Sequence, residues 1–280
     1  DTPALSQDDV DALATWADMR SQIGPAVDCF LRVLGVAMAR LAEAESSMVR
    51  VSQPDVWLGH TQDELATARA WRATAAFIPR IGAMIDVVHR HHQVSARTFL
   101  EGLAGGPSSS TVCGVGFTDL TGFTVLTQRL TAPELSMLLT DFVGTVTDVV
   151  HGGGGRVVKF IGDSVMWVSA TPEALVSTAV DLVDHPKARQ AGLRVRAGLA
   201  YGEILAINGD YFGTPVNLAA RFVAAAAPGQ ILVAADLRDE LPDWPATAQE
   251  PLTLKGFDAP VPAYTLHTSR HWPQRHGAHR

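Results

Sequence analysis

Apolar residues recur at helical spacing through the first hundred positions, and the period changes beyond them. Ser6 with Asp9 three residues later is a capping-box start, and Val10, Leu13, Ala14 and Ala17 follow on one helical face. Phe30, Leu34, Ala37 and Leu41 make a second stripe. Leu65, Ala68, Trp71 and Ala75 make a third, after the turn residues Pro54 and Gly59. A fourth helix is predicted over 78–99, carrying His89, Arg90, His91 and His92. The run GLAGGPSSS at 102–110 has the composition of a flexible linker. The pattern therefore predicts an all-helical domain over 1–101, a linker over 102–110 and a second domain over 111–280.

In that second domain, 111–117 is an apolar run of strand length that Asp119 closes. Thr131 and Glu134 form a capping box ahead of a helical stripe of Leu135, Leu138, Leu139, Phe142, Val146 and Val149. A four-glycine loop at 152–155 leads into a hairpin, 156–160 and 165–169, turning at Ile161-Gly162-Asp163. A helix over 172–183 follows. The segment 193–201 alternates, with Arg194 and Arg196 on one face and Leu193, Val195 and Ala197 on the other. A last helix starts near Val216, ends at Pro228-Gly229 and feeds a strand over 230–234. The order from 111 to 201 is βαββαβ. The expected fold class is thus α+β, a ferredoxin-like domain preceded by helices.

Composition narrows the function classes. Apolar residues make up 47% and charged residues 18%, which supplies a packed core and excludes a disordered chain. A net charge of -7 leaves no basic track, so no nucleic-acid partner is expected. Two cysteines, Cys29 and Cys113, form neither a disulfide framework nor a thiolate metal site, which points to a reducing, cytoplasmic location. The best membrane-span candidate, 29–41, is broken by Arg32 and Arg40, so no transmembrane segment is expected. A start at Asp1 rather than Met suggests a fragment or a processed product. Of the 22 basic residues only Lys159, Lys187 and Lys255 are lysines, which draws attention to those positions.

Asp119 and Asp163 stand 44 residues apart, one at a strand end and one at a hairpin tip. In a βαββ arrangement those strands are neighbours, so the two carboxylates meet. Adjacent carboxylates repel unless a cation lies between them, and Mg²⁺, which takes oxygen ligands and substrate phosphates, is suited to that place. Two such ions serve phosphoryl displacement. On these two residues alone, a helix cap and a turn aspartate explain the pattern as well.

Three segments go further. Phe117-Thr118-Asp119-Leu120-Thr121-Gly122-Phe123 resembles the first metal motif of class III nucleotidyl cyclases, and Lys159-Phe160-Ile161-Gly162-Asp163 resembles their second. Asp210, Asn217 and Arg221, within DYFGTPVNLAAR, follow the spacing of their third. The resemblance covers about residues 111–267 and marks the chain as similar to short-arm soluble bacterial adenylyl cyclases. It implies that Asp119 and Asp163 hold two Mg²⁺ or Mn²⁺ ions. It further implies that Lys159 and Asp210 read adenine, as donor to N1 and acceptor for the exocyclic amine. Guanine presents the opposite pattern, and guanylyl members replace the pair with residues such as Glu and Cys. Asn217 then orients the ribose, and Arg221 stabilises charge on the transferring phosphorus. Lys255, in Leu254-Lys255-Gly256-Phe257, is placed near the terminal phosphates, against the plainer reading of a solvated lysine.

The implied reaction is attack of the ribose 3′-oxygen on the α-phosphorus of ATP, giving 3′,5′-cyclic AMP and pyrophosphate, with the protein supplying positioning and charge neutralisation. The resemblance also implies a head-to-tail homodimer whose sites are shared between chains. The segment between Gly202 and Asp210, where many relatives carry a dimerisation arm, is short here. A catalytically weak ATP-binding signalling module is the alternative. A diguanylate cyclase is excluded because the hairpin reads Phe-Ile-Gly-Asp-Ser. The helical region resembles the regulatory domains of some soluble mycobacterial-type adenylyl cyclases. Histidine is the side-chain type suited to changing charge on mild acidification, so His89, His91 and His92 make the region a candidate pH switch that restrains the cyclase at neutral pH.

Overall fold

The computed structural model describes residues 6–52, 64–103 and 110–268. Pro54, Gly59 and most of the expected linker lie outside those residues. The chain divides into two compact units, Asp1–Ser95 and Ala96–Arg280, slightly before the expected linker.

The first unit contains α1 (Gln7–Ile23), α2 (Ala26–Ser52), α3 (Glu64–Ala75) and most of α4 (Ile78–Glu101). The capping box forms as expected: Ser6 Oγ accepts from the Asp9 amide, and the Asp9 carboxylate accepts from the Ser6 amide at 2.7 Å. Those bonds hold the Asp9 carboxyl below the usual range. Arg20 Nε binds Asp28 Oδ2 at 3.1 Å and ties α1 to α2. The apolar stripes exist as helical faces, but Val10, Leu13, Phe30 and Leu34 stay exposed, while Val27 is buried.

The second unit is built on a sheet of order β2-β3-β1-β4-β6-β8-β7. Its members are β1 (Ser110–Thr121), β2 (Arg156–Ile161), β3 (Ser164–Ser169), β4 (Arg194–Ile207), β6 (Ile231–Ala234), β7 (Ala246–Ala248) and β8 (Ala263–Leu266). The short β5 (Asp210–Phe212) pairs with β4. The β2-β3-β1-β4 segment is the expected ferredoxin-like order, antiparallel throughout, and β6 adds to it in parallel. Between strands run α5 (Phe123–Thr127), α6 (Ala132–Gly152), α7 (Pro172–Val183), α8 (Pro186–Gln190), α9 (Thr214–Ala225) and α10 (Ala235–Glu240).

The period of two sorts the strands' side chains between two cores. Cys113, Val115 and Phe117 of β1 join Met166, Ala200 and the α9 residues Leu218, Ala219 and Phe222 on one face, where Phe99 and Leu103 also pack. Trp167, Val195, Ala197 and Leu199 join α6 and α7 on the other. There Trp167 Nε1 donates to the buried Thr118 hydroxyl at 3.0 Å. α9 lies so close to β4 that a Cβ at Gly198 would stand 2.3 Å from Ala219 O and Val223 N.

Two strands run past their expected ends. β1 continues beyond Asp119 to Thr121, because Arg194–Arg196 of β4 offer it partners there. Asp119 thus sits inside the ladder rather than closing it. β4 continues past Tyr201 to Ile207 and turns into β5 through Asn208 and Gly209, at φ 55° and 76°. Two left-handed residues in a two-residue loop make the hairpin turn whose twist suits paired strands.

Candidate active site

Sheet register brings the two metal-motif carboxylates together. In the β1–β3 ladder Asp119 stands opposite Ser164, the neighbour of Asp163. Asp163 occupies the two-residue turn between Ile161 and Ser164. Burial raises the Asp163 carboxyl above its ordinary value, with the Asp119 charge adding to the rise, while its own backbone amide and Arg196 oppose it.

On its other side Asp119 stands opposite Arg196 of β4. The guanidinium donates from Nε at 2.8 Å and from Nη2 at 2.6 Å, both to Asp119 Oδ2. Its Nη1 donates to the carbonyls of Ala224 and Ala226, at the end of α9, each at 3.2 Å. The sequence pattern placed Arg196 on a face but did not single it out. The available signal was an arginine on a strand whose opposite face, Val195 and Ala197, is fully apolar.

The second group is Lys159 with Asp210. A bulge between Val157 and Lys159 on β2, and the Asn208-Gly209 turn ahead of β5, bring the two within reach. Lys159 Nζ donates to Asp210 Oδ2 at 2.5 Å, and Asp210 Oδ1 accepts from the Tyr211 amide at 2.9 Å. Donor and acceptor stand side by side, both partly exposed.

The third group is Asn217, Arg221 and Lys255. Four residues apart on α9, Asn217 and Arg221 share one exposed face. With Thr214, Lys255, Gly256 and Phe257 they line a cavity of about 240 Å³. Arg221 Nε donates to the Lys255 carbonyl at 3.1 Å. The Lys255 loop thereby stands against α9, which the sequence alone left open. Among the described residues no hydrogen bond or ion pair joins one of the three groups directly to another, but Arg196 connects Asp119 to the end of the helix that carries the third.

Asp119 and Asp163 fit a divalent-ion site by donor chemistry: two oxygen ligands brought side by side, their mutual repulsion already met by a cationic side chain. No group of three or more His, Cys, Asp or Glu assembles among the described residues. An ion held by these two residues would complete its shell with waters and substrate phosphates, as Mg²⁺ does elsewhere.

Residues 107–268 match the adenylate and guanylate cyclase catalytic domain. The chain belongs to this family. It is 67% identical over 268 residues, 95% of this chain and 71% of the relative, to an uncharacterized protein of Mycobacterium tuberculosis. It is 32% identical over 222 residues to a pH-sensitive adenylate cyclase of the same species, covering 77% of this chain and 55% of that protein. Among solved structures, the adenylyl cyclase CyaB of P. aeruginosa superposes with a TM-score of 0.54 at 27% identity, covering 58% of this chain and 96% of that one. The cyclase chain therefore carries a mixed α+β catalytic domain after a helical N-terminal region. No helix of the described residues is long and apolar enough to cross a membrane.

Proposed function

We propose that this cyclase converts ATP to 3′,5′-cyclic AMP and pyrophosphate. The observation that carries the choice of base is the Lys159–Asp210 pair. An ammonium donor beside a carboxylate acceptor complements adenine, whose edge offers N1 as acceptor and the amine as donor. Guanine on the same pair leaves both protein groups facing like partners, an unmatched arrangement that costs on the order of a few kcal/mol.

Asn217 orients the ribose so that its 3′-oxygen points at the α-phosphorus. Arg221, one helical turn away, neutralises charge that grows on the transferring phosphorus and the departing oxygen. Lys255 holds the terminal phosphates from the other wall of the same cavity. Asp119 and Asp163 are the ligands for Mg²⁺ or Mn²⁺, two ions per site. Bound there, the ions neutralise triphosphate charge and ease loss of the 3′-hydroxyl proton. The working unit is a head-to-tail homodimer in which the aspartates of one protomer serve with Lys159, Asp210, Asn217 and Arg221 of its partner.

The helical region regulates this activity in the same reading. His89, His91 and His92 are exposed on α4, where Arg90 pairs with Asp86 at 3.0 Å. The test of the central reading is product identification: purified protein with Mn²⁺ and either ATP or GTP. Cyclic AMP formed in large excess over cyclic GMP supports it. A preference for GTP, or nucleotide binding without turnover, overturns it.

A further inference from the structure

A second cavity, of about 380 Å³, lies among α6, the end of α7, α8 and the strands β1 and β4. It sits on the face of the sheet that Leu120 shares with Val195, the reverse of the face that carries Asp119 and Arg196. The reaction above makes no use of it. We propose that this cavity is an effector site for an apolar α-amino acid, bound as its zwitterion.

The lining sets the chemistry of the ligand. Leu120, Leu138, Phe142, Val146, Leu182 and Val195 make its walls apolar, and its volume is that of a small-molecule site. The polar groups carry both signs. Asp141 of α6 and Lys187 of α8 line the cavity while remaining exposed, so they stand at its rim. Lys187 is one of only three lysines in the chain. Its Nζ donates to Thr145 Oγ1 at 3.3 Å, a long bond, and Thr145 is one helical turn from Asp141. Among the described residues the Asp141 carboxylate enters no hydrogen bond or ion pair. His185 belongs to the same lining, and its Nδ1 is buried with no hydrogen-bond partner among the described residues. Buried ring nitrogens are ordinarily hydrogen-bonded, so this one marks a place for a polar group of the ligand.

A wholly apolar ligand leaves these polar groups unmatched. A carboxylate alone meets Lys187 but brings its charge up to Asp141, and an amine alone meets Asp141 but faces Lys187. A zwitterion matches both. Its carboxylate accepts from Lys187 Nζ and, in the Nδ1-protonated tautomer, from His185; its ammonium donates to Asp141; its side chain enters the apolar walls. Such a ligand also bears on the cyclase site from behind. Thr118 and Leu120 of the lining flank Asp119 on β1. Phe142 meets Phe160 edge-on, with ring centroids 6.1 Å apart, and Phe160 follows Lys159 on the strand that leads to Asp163. The effector role rests on the chain being a working cyclase; the binding does not.

The test is isothermal titration calorimetry of the full chain. The probes are L-leucine beside isoamylamine and isocaproate, and L-phenylalanine beside phenethylamine and hydrocinnamate, each analogue lacking one of the two charges. One of the amino acids should bind about tenfold more tightly than either of its analogues. That affinity should fall about tenfold in Lys187→Gln and in Asp141→Asn, whose exposed positions leave the fold intact, and should vanish in Ala188→Phe, which fills the cavity from α8. No binding of either amino acid at millimolar concentration overturns the proposal. So does an analogue that binds as tightly as its amino acid, or an affinity unchanged in the two rim variants. Cyclic nucleotide formation in the same preparations should change about fivefold on saturation, and the concentration needed should rise in Lys187→Gln. Binding that leaves turnover unchanged overturns the effector role. A chain that binds the amino acid but forms no cyclic nucleotide under any condition strikes the proposed function instead.

Discussion

Replacing Lys159 by Met separates what the Lys159–Asp210 pair does for the substrate from what it does for the fold. The two side chains are 38% and 31% exposed, so their ion pair is close to a surface pair despite its 2.5 Å length. Pairs of that kind contribute about 0–1 kcal/mol to stability. For a unit of this size that is a fall in melting midpoint of about 2–4 °C at most. The loss at the base is larger. A charged donor to adenine N1 is worth about 1.5–3 kcal/mol, and Asp210 loses the partner that sets its position. ATP turnover measured as kcat/KM should fall by about two orders of magnitude. Asp210→Asn should behave alike, and the double variant should be little worse than either single one, because the two residues act as a unit. The assay is initial-rate cyclic AMP formation beside a thermal melt of the same preparations. Full activity in a folded Lys159→Met protein refutes base reading by this pair. A melting loss large enough to explain the activity loss refutes it too.

Four further outcomes are expected. Asp119→Ala and Asp163→Ala should each abolish cyclase activity while the protein stays folded, and mixing Asp119→Ala with Arg221→Ala protein should restore activity; an exchanging but dead mixture excludes shared sites. Gly198→Ala should cost about 1–3 kcal/mol and reduce activity together, because its Cβ meets α9 backbone at 2.3 Å and pushes away the helix bearing Asn217 and Arg221; a denaturant melt beside the cyclase assay checks both. Burial pushes the Cys113 thiol up to about 12, so at pH about 8 it stays protonated and only exposed Cys29 should react with a thiol reagent until the chain is unfolded; two fast-reacting thiols in native protein contradict this. In the full chain, activity from about pH 5.5 to 8 should rise on the acid side and lose that rise in a triple His→Ala variant at 89, 91 and 92; an unchanged profile removes those histidines from regulation.

The ferredoxin-like order was legible because each element carries its own period, and because capping boxes at Ser6 and Thr131 mark helix starts. What stayed hidden were features set by pairing rather than by local pattern. β4 reads as ending at Tyr201 because Gly202 interrupts the alternation, yet the ladder with β1 carries it on to Ile207. The Asn208-Gly209 turn carries a strong hairpin signal, but only the β4–β5 ladder shows that strands flank it. Arg196 is the clearest case. Alternation gives its face, but only the register that sets it opposite Asp119 gives its partner. In the helical unit the converse holds: the stripes are legible, and Val10, Leu13, Phe30 and Leu34 remain exposed, since period fixes a face and not what covers it.

The pairings change how substrate recognition must be reckoned. Lys159 already binds Asp210, Arg196 already binds Asp119, and Arg221 already donates to the Lys255 carbonyl. Under the proposed function, nucleotide and ions exchange these bonds for new ones rather than adding bonds to free groups. The net gain of each exchange is therefore a small difference between large terms. Discrimination follows from the same fact. A correct base replaces the Lys159–Asp210 bond with two matched ones, whereas a wrong base breaks it and returns nothing, so the penalty falls on the wrong nucleotide even where the right one gains little. If the pair reads adenine as proposed, its being self-satisfied at rest suits a site that rejects guanine more than it grips adenine.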